Sequence, residues 1–275
     1  MVYDNGLPDV WCVLKVGFIG AGKMGEALIR SMLGIEDLQL SVLASDVSAE
    51  RRELVGKLVG VEATESNLRV VDESDVVFVA VKPQNIDEVL DEIRDTDRLV
   101  ISIAAGIPLR RLEAKLTEAR VIRVMPNAPC LVGEMAGGFS LGVRATDEDA
   151  DTLRALLKNA GIIFRLDEKH LDAVTALSGS GPAFIAYIIK SMADGAVKQG
   201  LPEDVAEQLA VQTALGTGKL LRDMKLSPEE LISIVSSPGG TTVAGRQVLE
   251  ESDVKDIIEK TITKAITRGR ELGRS

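Results

Sequence analysis

The chain has very few of the residues from which metal and nucleophile sites are built. It carries one histidine, His170, and two cysteines, Cys12 and Cys130. Two cysteines cannot make a disulfide framework, and with a single histidine at no zinc-like spacing they exclude a zinc centre. Cys130 and His170 have no partner at catalytic spacing, so both read as structural, and no metal site is expected. A basic excess is also missing. The formal net charge of −10 argues against a nucleic-acid partner, which calls for a positive face. An anionic ligand must therefore be captured by local donors. No apolar run approaches the roughly 20 residues that span a bilayer, so no membrane partner is expected. The acidic N-terminus has no apolar signal-peptide core. Together these absences favour a reduced, cytoplasmic setting.

With 275 residues, 45% of them hydrophobic, the chain can build one large or two ordinary domains. Residues 1–14 show no periodicity and read as an extension. From Lys15, short apolar runs alternate with helical segments. Strands are expected at Val16–Gly20, Leu40–Ser45, Val76–Val81, Leu99–Ala105 and Val121–Met125. Helices are expected at Met24–Leu33, Ala49–Leu58 and Ile86–Arg94, with another opened by Pro108 at its first position. This alternation predicts an α/β fold, a Rossmann-type doubly wound parallel sheet over 15–166. Beyond about Asp167 strand signals nearly vanish, and 167–275 reads as an all-helical domain. Its long helix Pro182–Lys198 is apolar on nearly all sides around Phe184–Ile189. A small helical domain can hardly bury such a face alone, which points to a homodimer.

Two glycine-rich turns carry the chemistry. Gly20-Ala21-Gly22-Lys23-Met24-Gly25 follows a strand and opens a helix, the context required of a dinucleotide loop. An acid, Asp46, follows about 20 residues later, beside Ser45 at the end of strand two. Asp46 would bond a ribose 2′-hydroxyl and favour NAD(H); Arg51 and Arg52 could instead hold a 2′-phosphate and favour NADP(H). The sequence leaves both open. In open α/β sheets, ligands lie beyond the carboxyl ends of the strands. That places Ala80-Val81-Lys82-Pro83, Ala104-Ala105-Gly106 and Asn127 at the cofactor crevice. The second turn, Ser237-Pro238-Gly239-Gly240-Thr241-Thr242, offers bare backbone N–H groups at a helix start, where the dipole also favours an anion. The same residues would also fit an ordinary helix junction. Ser178-Gly179-Ser180-Gly181-Pro182 can be a helix start alone, with Ser180 as cap and Pro182 at the first position, or can also face a ligand.

Read in order, Gly20–Gly25, Val81–Gln84, Arg123–Asn127, Leu177–Phe184 and Ser236–Thr242 resemble pyrroline-5-carboxylate reductase, from about Leu14 to the C-terminus. The resemblance implies reduction of the cyclic imine of 1-pyrroline-5-carboxylate to L-proline, generally with NADPH and sometimes with NADH, the last step of proline biosynthesis. It also implies a homodimer through the helical domain, with dimers assembling further, for instance into a decamer. It places Asn67 on the adenosine ribose, Val81–Pro83 and Ala104–Gly106 beside the nicotinamide, and Ser237–Thr242 on the substrate carboxylate. Thr242 falls near the ring nitrogen. The chain departs from the family at Ala128, commonly Thr, and Cys130, commonly Ala. A protonated imine is already a good electrophile, so positioning should dominate and no histidine base is required. The carboxylate is expected on the N–H groups of Gly239, Gly240 and Thr242. The Thr242 hydroxyl is expected at the nitrogen, and Ser178, Ser180 and Gly181 at the other wall. Two rivals fit the architecture: a hydroxyacid dehydrogenase, whose base would be a lysine such as Lys190 or Lys198, and a non-catalytic nucleotide sensor.

Overall fold

The computed structural model describes residues 13–272. Cys12 and nearly all of the expected N-terminal extension lie outside them. The chain divides into two compact units: one runs through Gly179 and resumes at Ile266, the other is Ser180–Ala265.

The first unit is an eight-stranded sheet. Its elements are β1 (Leu14–Ile19), α1 (Lys23–Leu33), β2 (Leu40–Ser45), α2 (Ala49–Val59), β3 (Glu62–Thr64), α3 (Asn67–Asp72) and β4 (Val76–Val79). Then come α4 (Ile86–Glu92), β5 (Leu99–Ser102), α5 (Leu109–Lys115), β6 (Arg120–Met125), β7 (Met135–Leu141), α6 (Asp147–Leu157), β8 (Gly161–Arg165) and α7 (Leu171–Val174). The strand order is β3-β2-β1-β4-β5-β6-β7-β8. Pairing is parallel throughout except between β6 and β7. That exception has a local cause. The β6–β7 link is a short 3-10 turn over Ala128–Val132 closed by Gly133 at φ 75°, too short for the crossover of a dozen or more residues that a parallel return needs.

The strand residues alternate between two cores, as a doubly wound sheet requires. Val76 and Phe78 of β4 join one core with Phe18, Leu28 and Leu153. Val77 and Val79 join the other with Val70, Leu90 and Leu112. Helices α1, α2 and α6 cover the first face; α3, α4 and α5 cover the second. At the centre the Phe18 and Phe78 rings stack at 4.8 Å and 7°. Strands β3, β7 and β8 were not foreseen. β3 is three residues long, and β7 (MAGGFSL) carries two glycines, which weaken any strand signal.

The second unit holds α8 (Gly181–Val197), α9 (Glu203–Asp223), α10 (Pro228–Ile234), α11 (Thr241–Glu251) and α12 (Val254–Leu272), whose last turns belong to the first unit. Helix α10 starts with a complete capping box, Ser227 and Glu230 bonding each other's backbone N–H. The helix starts differ from expectation at two prolines. Pro108 is an N-cap, not a first helical residue, and Pro182 is the second residue of α8. Ser180 makes no side-chain cap bond, because its backbone is already helical (φ −87°, ψ −23°) and continues the turn before it.

The second unit has almost no core of its own. Ala193, Ala206 and Ala210 form its buried cluster. On α8, Ile185, Tyr187 and Ile188 are 56%, 75% and 49% exposed. The continuous helical stretch Glu168–Val197 is long and apolar enough, by length and composition alone, to cross a membrane. This differs from the reading of the sequence, which counted unbroken apolar runs. A helix tolerates Ser, Gly and one Lys within an otherwise apolar surface, and its averaged hydropathy stays high.

Candidate active site

In the first unit, the ends of β1 and β4 form the switch point of the sheet, from which the chain turns towards β2 on one side and β5 on the other. The Gly20–Gly25 loop sits there. Gly20 has φ 96°, and a Cβ on it would stand 2.8 Å from the Ala80 carbonyl oxygen. Its N–H donates to the Ser45 carbonyl at 2.8 Å. Only glycine satisfies that turn and that approach together. Gly25 packs helix against strand: an added Cβ would lie 2.6 Å from the Gly20 oxygen. Gly22 differs. It caps α1, and nothing lies within 4 Å of its Cβ direction. A helix N-terminus facing open space, with Lys23 and Met24 as its first residues, is a cradle for a pyrophosphate. The residues therefore fit a dinucleotide.

Asp46 is locked against this loop. Its Oδ2 accepts the Ala21 N–H at 2.9 Å and its Oδ1 accepts the Ser48 N–H at 2.9 Å. Arg51 donates through Nε and Nη2 to the Ala21 carbonyl and through Nη2 to Glu26 at 2.9 Å. Arg52 donates to the carbonyls of Asp46 and Val47. Glu26 binds both Arg30 and Arg51. The Arg30 guanidinium first, and Arg51 after it, hold its carboxyl below the usual carboxylate range. Asn67, the first residue of α3, accepts the Ser45 hydroxyl at 2.7 Å and donates to Glu92 at 2.7 Å. Glu26 and Ser48 belong to no motif. Only their contacts with Arg51 and Asp46 mark them.

The remaining crevice residues follow strand ends as expected. Val81 is half-buried and Lys82 exposed, and Pro83 opens a 3-10 turn. Ala104 is buried, Ala105 exposed, and Gly106 takes φ 77°. Asn127 is buried and largely committed: its Oδ1 accepts the Ala136 N–H at 3.0 Å and its Nδ2 donates to the Ser178 carbonyl at 3.0 Å. Ser178 lies in a π-helical turn, Thr175–Gly179, and its hydroxyl donates back to the Val174 carbonyl. Wide turns of this kind accommodate an extra residue, often at functional sites. Gly179 packs against the Met125 methyl, which a Cβ there would approach to 2.8 Å and push aside.

A cleft of about 400 Å³ lies next to Gly106, lined by Arg110, Arg123, Glu168 and Arg270 among others. Its charges are largely matched within it. Arg123, only 7% exposed, pairs with Glu168 at 2.8 Å, and Arg270 pairs with Asp172 at 3.5 Å. The Glu168 carboxylate also accepts the Leu109 N–H. This network ties β6 and α5 to the chain before α7. Cys130 is buried, and burial pushes its thiol up to about 11, which leaves no thiolate for chemistry.

The second unit carries the other glycine turn. Gly239 takes φ 72°, Gly240 caps α11, and Thr241 and Thr242 are its first two residues, both exposed. One expectation is corrected. The Gly240 N–H donates to the Ser237 carbonyl at 2.9 Å, so it closes the turn and is not offered to a ligand. The amides that begin α11 have no partners within the helix. The Ser236 hydroxyl is buried without a hydrogen-bond partner, an orphan that a polar ligand would explain.

Residues 168–272 match the family model described as pyrroline-5-carboxylate reductase dimerisation, and residues 15–106 match that of NADP oxidoreductase, coenzyme F420-dependent. The chain is 42% identical to the pyrroline-5-carboxylate reductase of Methanosarcina acetivorans, covering 94% of this chain and 98% of that one. It is 41% identical to the enzyme of Arabidopsis thaliana, covering 95% and 96%. Among solved structures, the pyrroline-5-carboxylate reductase of Coxiella burnetii matches with a TM-score of 0.89 at 29% identity, covering 95% and 99%. Pyrroline carboxylate reductase of Plasmodium falciparum, solved with NADP bound, matches with a TM-score of 0.82 at 28% identity, covering 94% and 98%. A prephenate dehydrogenase from A. aeolicus, at 14% identity and a TM-score of 0.53, shares the fold alone.

Proposed function

The chain belongs to the pyrroline-5-carboxylate reductase family, and on that premise we propose how its own residues divide the work. The protein is an NAD(P)H-dependent oxidoreductase that reduces 1-pyrroline-5-carboxylate to L-proline in proline biosynthesis. When bound, the nicotinamide supplies the hydride that the imine carbon accepts.

The observation that carries the site assignment is the pair of glycine-capped helix starts, α1 and α11. The α1 start receives the pyrophosphate on the amides from Gly22 onward. Asp46 and Asn67 address the adenosine ribose. The small residues Ala104 and Ala105, with Gly106, leave room for a flat ring. The α11 start receives the substrate carboxylate on the amides of Gly239, Thr241 and Thr242, with Ser237 shaping the turn. The Thr242 hydroxyl hydrogen-bonds the ring nitrogen and orients its proton, so positioning does the catalysis. Ser178 and Gly181 complete the substrate residues.

The helical segment is a dimerisation domain, and we place the homodimer contact on the apolar faces of α8 and α9. A second copy would cover the stretch that otherwise resembles a membrane span. Assembly of dimers into a decamer and a cytoplasmic location complete the proposal.

Absorbance of NADH and NADPH followed with 1-pyrroline-5-carboxylate tests the activity. No oxidation of either nucleotide would return the protein to the dehydrogenase or sensor reading. For Thr242→Val we expect turnover to fall about 100-fold or more. Its melting temperature should hardly move, because the side chain is exposed. Wild-type turnover would remove Thr242 from the mechanism.

A further inference from the structure

NADH and NADPH differ at one place, the adenosine ribose, which bears a 2′-hydroxyl in the first and a 2′-phosphate in the second. The selection between them rests on the assignment of Gly20–Gly25 as the dinucleotide loop. Asp46 and two arginines stand beside that loop, and by sequence they pull in opposite directions. The hydrogen bonds decide between them.

The Asp46 carboxylate is fixed by two backbone amides, those of Ala21 and Ser48, each at 2.9 Å. It is half-buried and cannot swing away without leaving an amide unpaired. Each of its oxygens still has room for a further donor, and as a carboxylate it only accepts. A hydroxyl can donate to it. A phosphate at neutral pH has almost no proton to give and carries the same sign of charge.

The arginines are turned the other way. Arg51 spends Nε and Nη2 on the Ala21 carbonyl and on Glu26, which keeps only Nη1 outside those bonds. Arg52 spends Nη1 on the Asp46 and Val47 carbonyls, and its Nη2 stands 3.6 Å from Glu65. The two-pronged grip by which a guanidinium holds a phosphate is therefore occupied in Arg51, whose Nε and Nη2 are both spent, while Arg52 is tethered through Nη1 alone and faces Glu65 with Nη2.

We infer that this chain selects NADH, with Asp46 accepting the ribose hydroxyl and excluding a 2′-phosphate, and Glu26 acting as a positioning residue that withholds Arg51 from that phosphate. Glu26 is ionised and bridges Arg51 to Arg30, so its hold on Arg51 persists at neutral pH.

The test is nucleotide binding to the full-length protein without substrate, followed by nucleotide fluorescence, together with steady-state kinetics on both nucleotides. We expect Kd for NADPH to exceed that for NADH by roughly tenfold or more, with the kinetic difference falling in KM and not in kcat. Asp46→Ser should bring the two Kd values to within about threefold, and Glu26→Gln should tighten NADPH by about threefold or more. The double variant should prefer NADPH. Asp46→Asn, which keeps an acceptor for the backbone amides, serves if the serine variant does not fold. A wild-type ratio below tenfold or reversed overturns the inference. So does an Asp46 variant whose ratio stays at the wild-type value, while an unchanged ratio in Glu26→Gln removes Glu26 from the selection. Failure to bind either nucleotide would sink instead the assignment of Gly20–Gly25.

Discussion

The three glycines of the first turn show how one motif can hold three separate physical demands. Gly20 is required by its φ of 96° and by the Ala80 carbonyl 2.8 Å from a would-be Cβ, whereas Gly22 has open space around it and an extended backbone. The two therefore predict opposite phenotypes. Gly20→Ala should destabilise the fold by about 2 kcal/mol or more, seen as a lower denaturation midpoint. Gly22→Ala should leave the midpoint within about 0.5 kcal/mol of wild type and weaken dinucleotide binding by titration about tenfold or more. A Gly22→Ala protein that binds normally would show that nothing approaches that amide. The sequence supplied the motif but not this division, because the neighbours that distinguish Gly20 from Gly22 lie about 60 residues further along the chain, at Ala80. For the same reason no local pattern marked Glu26, whose partner Arg51 comes from α2.

At the scale of elements, helix starts were well marked by their chemistry and strand extents were not. Ser227-Pro228-Glu229-Glu230 has the residue types of a capping box with proline at the first position, and α10 forms that box in full. Ser227→Ala should cost about 1 kcal/mol by chemical denaturation. The Glu230 carboxyl is held below its ordinary value of 4.5, chiefly by the Ser227 backbone N–H and then by the Ser227 side chain. Its share of the cap is therefore fully present above that value and is lost as pH falls through the lower folded one. No pH dependence near neutrality should come from this cap. Ser180 shows where the chemistry misleads. It has a capping residue type and precedes a helix, yet the π-helical turn Thr175–Gly179 already runs into α8, so no fresh start needs capping. The edge elements β3, β7 and β8 escaped notice because a short or glycine-bearing strand draws its stability from its sheet partners, not from its own pattern.

At the scale of the whole molecule, the two units differ in how they bury apolar surface. The first has a complete core on each face of its sheet. The second leaves Ile185, Tyr187, Ile188, Leu209 and Leu215 exposed and buries little beyond three alanines. A patch of that extent marks an interface. We expect the melting temperature to rise with protein concentration, as for any fold completed by self-association. Ile188→Asp should shift the mass by light scattering to a smaller species and lower the melting temperature. A variant that keeps the wild-type mass would place the contact elsewhere.

The sequence by itself determined the class of this protein. Alternating apolar runs specify a doubly wound sheet because parallel strands are buried on both faces. The two glycine turns specify where α1 and α11 start, because glycine lets the backbone turn sharply into a helix. Those are local properties, legible within a few residues. Tertiary structure alone decided which polar groups remain for a ligand. It engaged Asn127 with Ala136 and Ser178 and tied Arg51 to Glu26. Each of these depends on what the folded chain brings within about 3 Å of a donor, and sequence spacing does not record that distance.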